Sequence, residues 1–223
     1  MTHFTEQHPQ PGLQPPAQPP SPPSAQAQQP LGGATPQAAE AGAPAPETLV
    51  LGGGCFWCVE AVFLQVRGVV AVESGYANGD GLRFPTPSYE AVCTGETGYN
   101  EVVKLVFQPD VLPLDAVLEV FFTIHDPTSL NRQGHDVGTQ YRSGIYTTGT
   151  AQHAAVRAWV DAVDRQRLWP QPVVTEVLPL QHYHRAEAYH QNYFAQHPHQ
   201  GYCAAVVAPK VAKFQARFRA LLK

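Results

Sequence analysis

The sequence predicts an α+β domain, a two-layer sandwich of a mixed or antiparallel sheet and packed helices, behind a segment that does not fold. Three observations point there. The first 47 of the 223 residues hold 12 of the 22 prolines, no Lys or Arg and only three acids. Such a composition cannot bury enough apolar surface to offset its ordering entropy, so residues 1–47 read as a disordered Pro/Gln/Ala-rich tail. Residues 48–223 are then a suitable length for one domain with its own core. Within them, strand-like and helix-like runs alternate closely with no internal repeat, which suits two packed layers.

The elements follow in order. Thr48 to Gly53 is a short apolar run ended by glycines and reads as a buried strand, and Trp57 to Val66 places Val59, Val62, Phe63 and Val66 at helical spacing. Val69 to Tyr76 is a second strand, closed by the turn residues Asn78-Gly79-Asp80-Gly81. Tyr89 to Cys93 is expected to be extended, which would make Cys93 a structural thiol in a strand. Glu101 to Phe107 alternates as a strand does, and Leu114 to His125, between Pro113 and Pro127, is a strongly apolar helix. Asp126 to Arg142 is a long polar loop of the kind that usually carries function. Ser143 to Thr148 reads as a strand, Thr150 to Leu168 as a helix and Val173 to Leu180 as a strand. Arg185 to Gln196 reads as a short helix, and Pro209 to Lys223 as a basic one.

Bulk properties exclude several classes. All 14 basic residues lie in the folded part against 15 acids, a near-neutral balance that gives no support to nucleic-acid binding. No stretch approaches the roughly 18 apolar residues of a membrane span, and no basic start leads into an apolar run as in a secretory signal. The expected setting is therefore a cytoplasmic, bacterial one. The four cysteines, Cys55, Cys58, Cys93 and Cys203, are too few and too unevenly spaced for a disulfide scaffold and point to redox chemistry or metal binding.

The most informative run is Gly52-Gly53-Gly54-Cys55-Phe56-Trp57-Cys58. It sets a cysteine where a strand turns into a helix. The glycines allow a tight turn and close approach of a substrate, and the amides and positive dipole end of the helix favour a thiolate. Cys55 is thus a candidate nucleophile with a lowered pKa, against the alternative of a small buried hydrophobe. Cys58, about one helical turn on, is placed where it could close a disulfide with it. Phe56 and Trp57 supply a site for an apolar group.

Downstream come Gly75-Tyr76, Pro87-Ser88-Tyr89-Glu90-Ala91-Val92-Cys93-Thr94-Gly95-Glu96-Thr97-Gly98 and Glu101. They are followed by His125-Asp126-Pro127, Arg132-Gln133-Gly134, Asp136-Val137-Gly138-Thr139-Gln140-Tyr141-Arg142-Ser143 and Gly201-Tyr202-Cys203. In this order and spacing, from about residue 48 to 205, the set closely resembles the A-type peptide-methionine (S)-S-oxide reductases. The resemblance implies a ferredoxin-like plait core. It also implies reduction of methionine sulfoxide, free or in proteins, without cofactor or metal, by an enzyme left as a disulfide. The family's nucleophile falls on Cys55, its acid on Glu101 and its hydroxyl donors on Tyr89 and Tyr141. Phe56 and Trp57 fall on the cage for the substrate methyl group. Asp136 falls on a supporting position that orients Tyr141 or holds a water.

The residue chemistry agrees, since a sulfoxide is a poor electrophile until its oxygen is protonated or strongly hydrogen-bonded. The resolving cysteine implied is Cys203, in a glycine-flanked segment expected to be mobile, which condenses with a Cys55 sulfenic acid. No thiol after Cys203 serves for recycling, so thioredoxin is the implied direct reductant of a monomeric enzyme. Cys58, where many members have glycine, is either a spare resolving thiol or an inert helix residue.

Competing readings are weaker. Cys55-Phe56-Trp57-Cys58 fits the C-x-x-C of thioredoxin-like dithiol oxidoreductases, but its central pair is bulky. A zinc module would join Cys55 and Cys58 to His182 and His184 or His190, spaced poorly for a second ligand pair. An adaptor driven by the tail would need residues 1–47 for function, which the enzyme would not.

Overall fold

The computed structural model describes residues 44–223. The tail reading therefore lies outside the described residues as far as residue 43, and Glu47 already belongs to the first strand. In chain order the elements are β1 (Glu47–Gly53), α1 (Phe56–Phe63), β2 (Val69–Ala77), α2 (Tyr89–Cys93), β3 (Asn100–Phe107) and α3 (Leu114–Ile124). A small hairpin β4 (Arg132–Gln133) and β5 (Asp136–Val137) follows, then β6 (Ser143–Thr147), α4 (Thr150–Arg165), β7 (Glu176–Pro179), β8 (Tyr183–Arg185), α5 (Tyr193–Gln196) and α6 (Ala208–Arg217).

Six strands form one mixed sheet in the order β7-β6-β1-β3-β2-β8. All neighbours are antiparallel except β6 and β7, which run parallel. α1 connects β1 to β2, and α3 connects β3 to β6, so each crossover passes over the strand between its ends. Alternation along the strands divides the two faces. Leu49, Leu51, Val103 and Leu105 share one core with Val59, Val62 and Phe63 of α1, Phe121 of α3, Val156 of α4 and Phe214 of α6. The opposite face carries a smaller apolar cluster, Val50, Ala77, Val102 and Tyr146, with Leu180 and Tyr183 packed against it. The expected two-layer α+β arrangement is therefore present. Glu101 keeps step with Val103 and Leu105 and so faces the helix layer. No helix among the described residues is long and apolar enough to cross a membrane.

Several sequence expectations need correction. Tyr89–Cys93 is helical, not extended: Ser88 caps it by accepting the Ala91 N–H at 3.3 Å, and only Val92 turns into the core. Arg185 to Gln196 is not one helix, because Tyr183–Arg185 pairs with β2 as an edge strand and Asn192 takes a left-handed conformation (φ 50°). What helix remains is a 3₁₀ turn at Ala188–His190 and the single turn α5. α6 ends at Arg217, where Phe218 leaves helical geometry, and Leu222 then bridges back to Val66. The long loop after α3 contains the β4–β5 hairpin and a 3₁₀ turn, Thr139–Tyr141.

Candidate active site

Three consecutive glycines bring β1 to the start of α1. Gly54 has φ +87°, and a Cβ there would lie 2.6 Å from Gln133 Cβ, so the turn needs glycine for both conformation and space. Cys55 is the N-cap of α1 and is 8% exposed; its carbonyl accepts the Cys58 N–H at 3.1 Å. The two thiols are close enough to act on each other's ionisation.

The lowered pKa expected at Cys55 is overturned. Burial, the neighbouring Cys58 thiol and the nearby Glu101 carboxyl push the Cys55 thiol well up, and a backbone bond from Trp57 offsets little of this. Cys58 is the more acidic partner, lowered first by the Cys55 thiol and then by Lys210, against its own burial.

Glu101 is 1% exposed, and its Oε2 accepts the Phe56 N–H at 3.2 Å. Burial pushes its pKa up to about 8, with the Phe56 amide working against the rise and Asp136 and Cys58 adding to it. The carboxyl therefore holds its proton at neutral pH. Tyr89 and Tyr141, both half-buried, feel the Glu101 charge, and burial raises both phenols, so both remain O–H donors. Tyr89 is anchored by its own N–H, which donates to Glu187 Oε1 at 2.9 Å, while Glu187 Oε2 accepts the Tyr76 hydroxyl at 2.7 Å.

The aromatic wall is larger than the Phe56-Trp57 pair. Trp57 stacks on Tyr193 at 3.8 Å with the rings 7° from parallel, meets Tyr202 edge-on at 5.9 Å, and donates its indole N–H to His190 Nδ1 at 3.2 Å. His190 is buried, its pKa lowered by burial, and its ring lies against Phe56 and Tyr89. Phe56 is fully buried behind Trp57 and packs on Tyr76.

Asp136 does not hold Tyr141: its Oδ2 accepts the hydroxyl of Tyr202 at 2.6 Å, because β5 faces the chain just before Cys203. Cys203 is fully buried at the start of a π-helical turn, Cys203–Val207, although the exposed Gly201 precedes it with open space around its Cα. Cys93, expected as a structural thiol in a strand, is exposed at the end of α2 beside the Tyr89 hydroxyl.

His190, Tyr193, Tyr202 and Lys210 were not assigned to this site from the sequence. The density of His and Tyr between residues 182 and 202 was the available signal. His184 bonds instead to the Tyr99 hydroxyl at 3.2 Å, and no group of three His, Cys, Asp or Glu residues suited to a metal occurs among the described residues.

A family model described as peptide methionine sulfoxide reductase matches residues 47–221. The chain belongs to the peptide methionine sulfoxide reductase family. The match runs from β1 past α6, so every residue of the site just described lies inside the peptide methionine sulfoxide reductase region. The protein named peptide methionine sulfoxide reductase MsrA in Polynucleobacter asymbioticus is 53% identical over 179 residues, 80% of this chain and 93% of that one. Among solved structures, methionine sulfoxide reductase A of Corynebacterium diphtheriae aligns over 77% of this chain and 86% of its own, with 36% identity and a TM-score of 0.66. The reduced form of Mxr1 from Saccharomyces cerevisiae aligns over 73% and 91%, with 33% identity and a TM-score of 0.66.

Proposed function

We propose that this chain reduces methionine S-sulfoxide, free or within proteins, to methionine, and that residues 48–223 carry the activity. The observation behind this reading is the buried Glu101 carboxyl, protonated up to about pH 8 and held by the amide that follows Cys55. An acid that keeps its proton at neutral pH is what a sulfoxide oxygen needs from its surroundings. Glu101 gives that oxygen a proton, and the hydroxyls of Tyr89 and Tyr141 stand beside it as further donors.

Cys55 attacks the polarised sulfur as its thiol proton passes to Glu101 in place of the one given to the oxygen, the oxygen ends on Cys55 as a sulfenic acid, and methionine leaves. A protonated Glu101 also removes one of the negative charges that oppose ionisation of Cys55. Trp57, with Phe56 behind it, takes the methyl group. Methyl toward the aromatic wall and oxygen toward Glu101 leave the sulfur facing Cys55 in one epimer only. Asp136 supports the site through Tyr202.

The oxidising equivalent then passes to Cys203, and a thioredoxin-type dithiol reduces the resulting disulfide. The enzyme works as a monomer in a bacterial cytoplasm, without nucleic-acid or membrane partners, and residues 1–47 are dispensable for turnover. The test is single-turnover reduction of the two separated sulfoxide epimers by the prereduced protein. Consumption of the S epimer alone, with loss of two thiols per methionine formed, is expected; inertness toward both epimers while the thiols are free would sink the reading.

A further inference from the structure

We propose that Cys58 is the first resolving thiol of this enzyme and that Cys203 acts second, so that a Cys55–Cys58 disulfide is converted to Cys58–Cys203. The proposal rests on the reductase reading above. Its ground is the order in which the three buried thiols meet. Cys55 caps α1 and Cys58 lies in the first turn of the same helix, joined to it by the 3.1 Å backbone bond. A sulfenic acid formed on Cys55 is thus born one helical turn from a second thiol. Closing the Cys-X-X-Cys pair needs only local rearrangement within one turn, whereas Cys203 belongs to a separate element.

Cys203 shares no such turn with Cys55. It is fully buried in a π turn that runs into α6, and the thiol whose charge it feels is Cys58. The neighbour that separates Cys58 from an ordinary buried thiol also comes from the C-terminal segment. The charge of Lys210 of α6 favours the Cys58 thiolate, in spite of burial and the nearby Asp136 carboxylate. Lysine beside a cysteine lowers the thiol pKa and raises the fraction able to attack.

The electrons balance over two exchanges. The Cys58 thiolate attacks the Cys55 sulfenic sulfur and the S–O bond breaks. The departing hydroxide takes up the proton that Cys58 lost on forming its thiolate and leaves as water, with Cys55–Cys58 formed. The Cys203 thiolate then attacks the Cys58 sulfur, the Cys55–Cys58 bond breaks, and Cys55 departs with the electron pair and takes up a proton. Cys55 is thereby ready for substrate while the disulfide sits at Cys58–Cys203, from which a dithiol reductant removes it.

The experiment mixes the prereduced full chain with one equivalent of methionine S-sulfoxide. Samples are quenched from milliseconds to minutes, methionine is quantified, and the disulfides are mapped by mass spectrometry after alkylation. In the wild type, Cys55–Cys58 should peak before Cys58–Cys203 accumulates, and Cys203→Ser should stop at Cys55–Cys58. Cys58→Ser should lose its second thiol at least about tenfold more slowly and leave a sulfenic acid that dimedone traps. Lys210→Met should slow the first disulfide about tenfold, and Lys210→Arg should restore its rate.

Appearance of Cys55–Cys203 as the first bond in the wild type, which needs no variant to fold, overturns the relay. So does closure of Cys55–Cys203 in Cys58→Ser at the wild-type rate. A wild type that releases no methionine removes the reductase reading itself, whereas release with Cys55–Cys203 formed first removes the relay alone.

Discussion

Glu101 suits the acid role proposed for it by being costly to ionise. Its strand position alternates with Val103 and Leu105, so the fold carries it into the helix layer, and one amide, that of Phe56, is its only hydrogen-bond donor among the described residues. One charge-assisted bond does not offset full burial, and the pKa rises to about 8. Glu101→Gln keeps the shape and an acceptor for the Phe56 N–H but cannot give up a proton. Methionine formation in a single turnover should fall by roughly a hundredfold or more. The wild-type rate should decline as pH rises through about 8, and the variant should lack that limb.

A second prediction concerns the indole. His190 accepts the Trp57 N–H, and a buried donor left unpaired costs about 1–3 kcal/mol. His190→Leu should raise KM for a sulfoxide peptide roughly tenfold with a smaller change in kcat, and His190→Asn, which keeps an acceptor, should recover part of it.

At the scale of elements, the turn between β1 and α1 carries the most local information. Gly54→Ala would place a methyl group against Gln133 at a φ of +87°, and Gln133 itself holds the Asp126 N–H at 3.0 Å. The expected loss is about 1–3 kcal/mol, measured as a lower urea midpoint. This turn was legible in the sequence because its reasons are local: glycines, a short apolar strand and an apolar helical face. α2 was not, since it depends on a serine cap in a five-residue stretch and on the Tyr89 N–H reaching Glu187, 98 residues away. Nor was the state of Cys55. The helix dipole argument was sound for an open helix end, but the fold buries that end beside Glu101 and a second thiol, and those neighbours outweigh the dipole. The pairing of Asp136 with Tyr202 was equally hidden, because it joins a hairpin to a segment 66 residues later.

Two buried groups give the whole molecule opposite responses to pH. His125 ties the end of α3 to β6: its ring bonds to the Phe121 carbonyl at 2.6 Å and to Ser143 Oγ at 2.8 Å, and Ser143 Oγ in turn meets Thr175 Oγ1 at 2.7 Å. Burial lowers its pKa from 6.5 to about 4, so the unfolded chain takes up a proton that the native one refuses, and stability falls as pH drops from about 6.5 toward 4. Glu101 acts in the reverse sense. Its pKa rises from 4.5 to about 8, the native state keeps a proton that the unfolded chain releases, and stability falls as pH climbs from about 4.5 toward 8. The group proposed to protonate the sulfoxide is thus a standing cost to the fold at neutral pH. Thermal midpoints of the wild type and Glu101→Gln, recorded from pH 5 to 8, should separate progressively, with the variant gaining on the wild type as pH rises. Parallel curves would mean that Glu101 is ionised in the native state, and the acid role would fall with them.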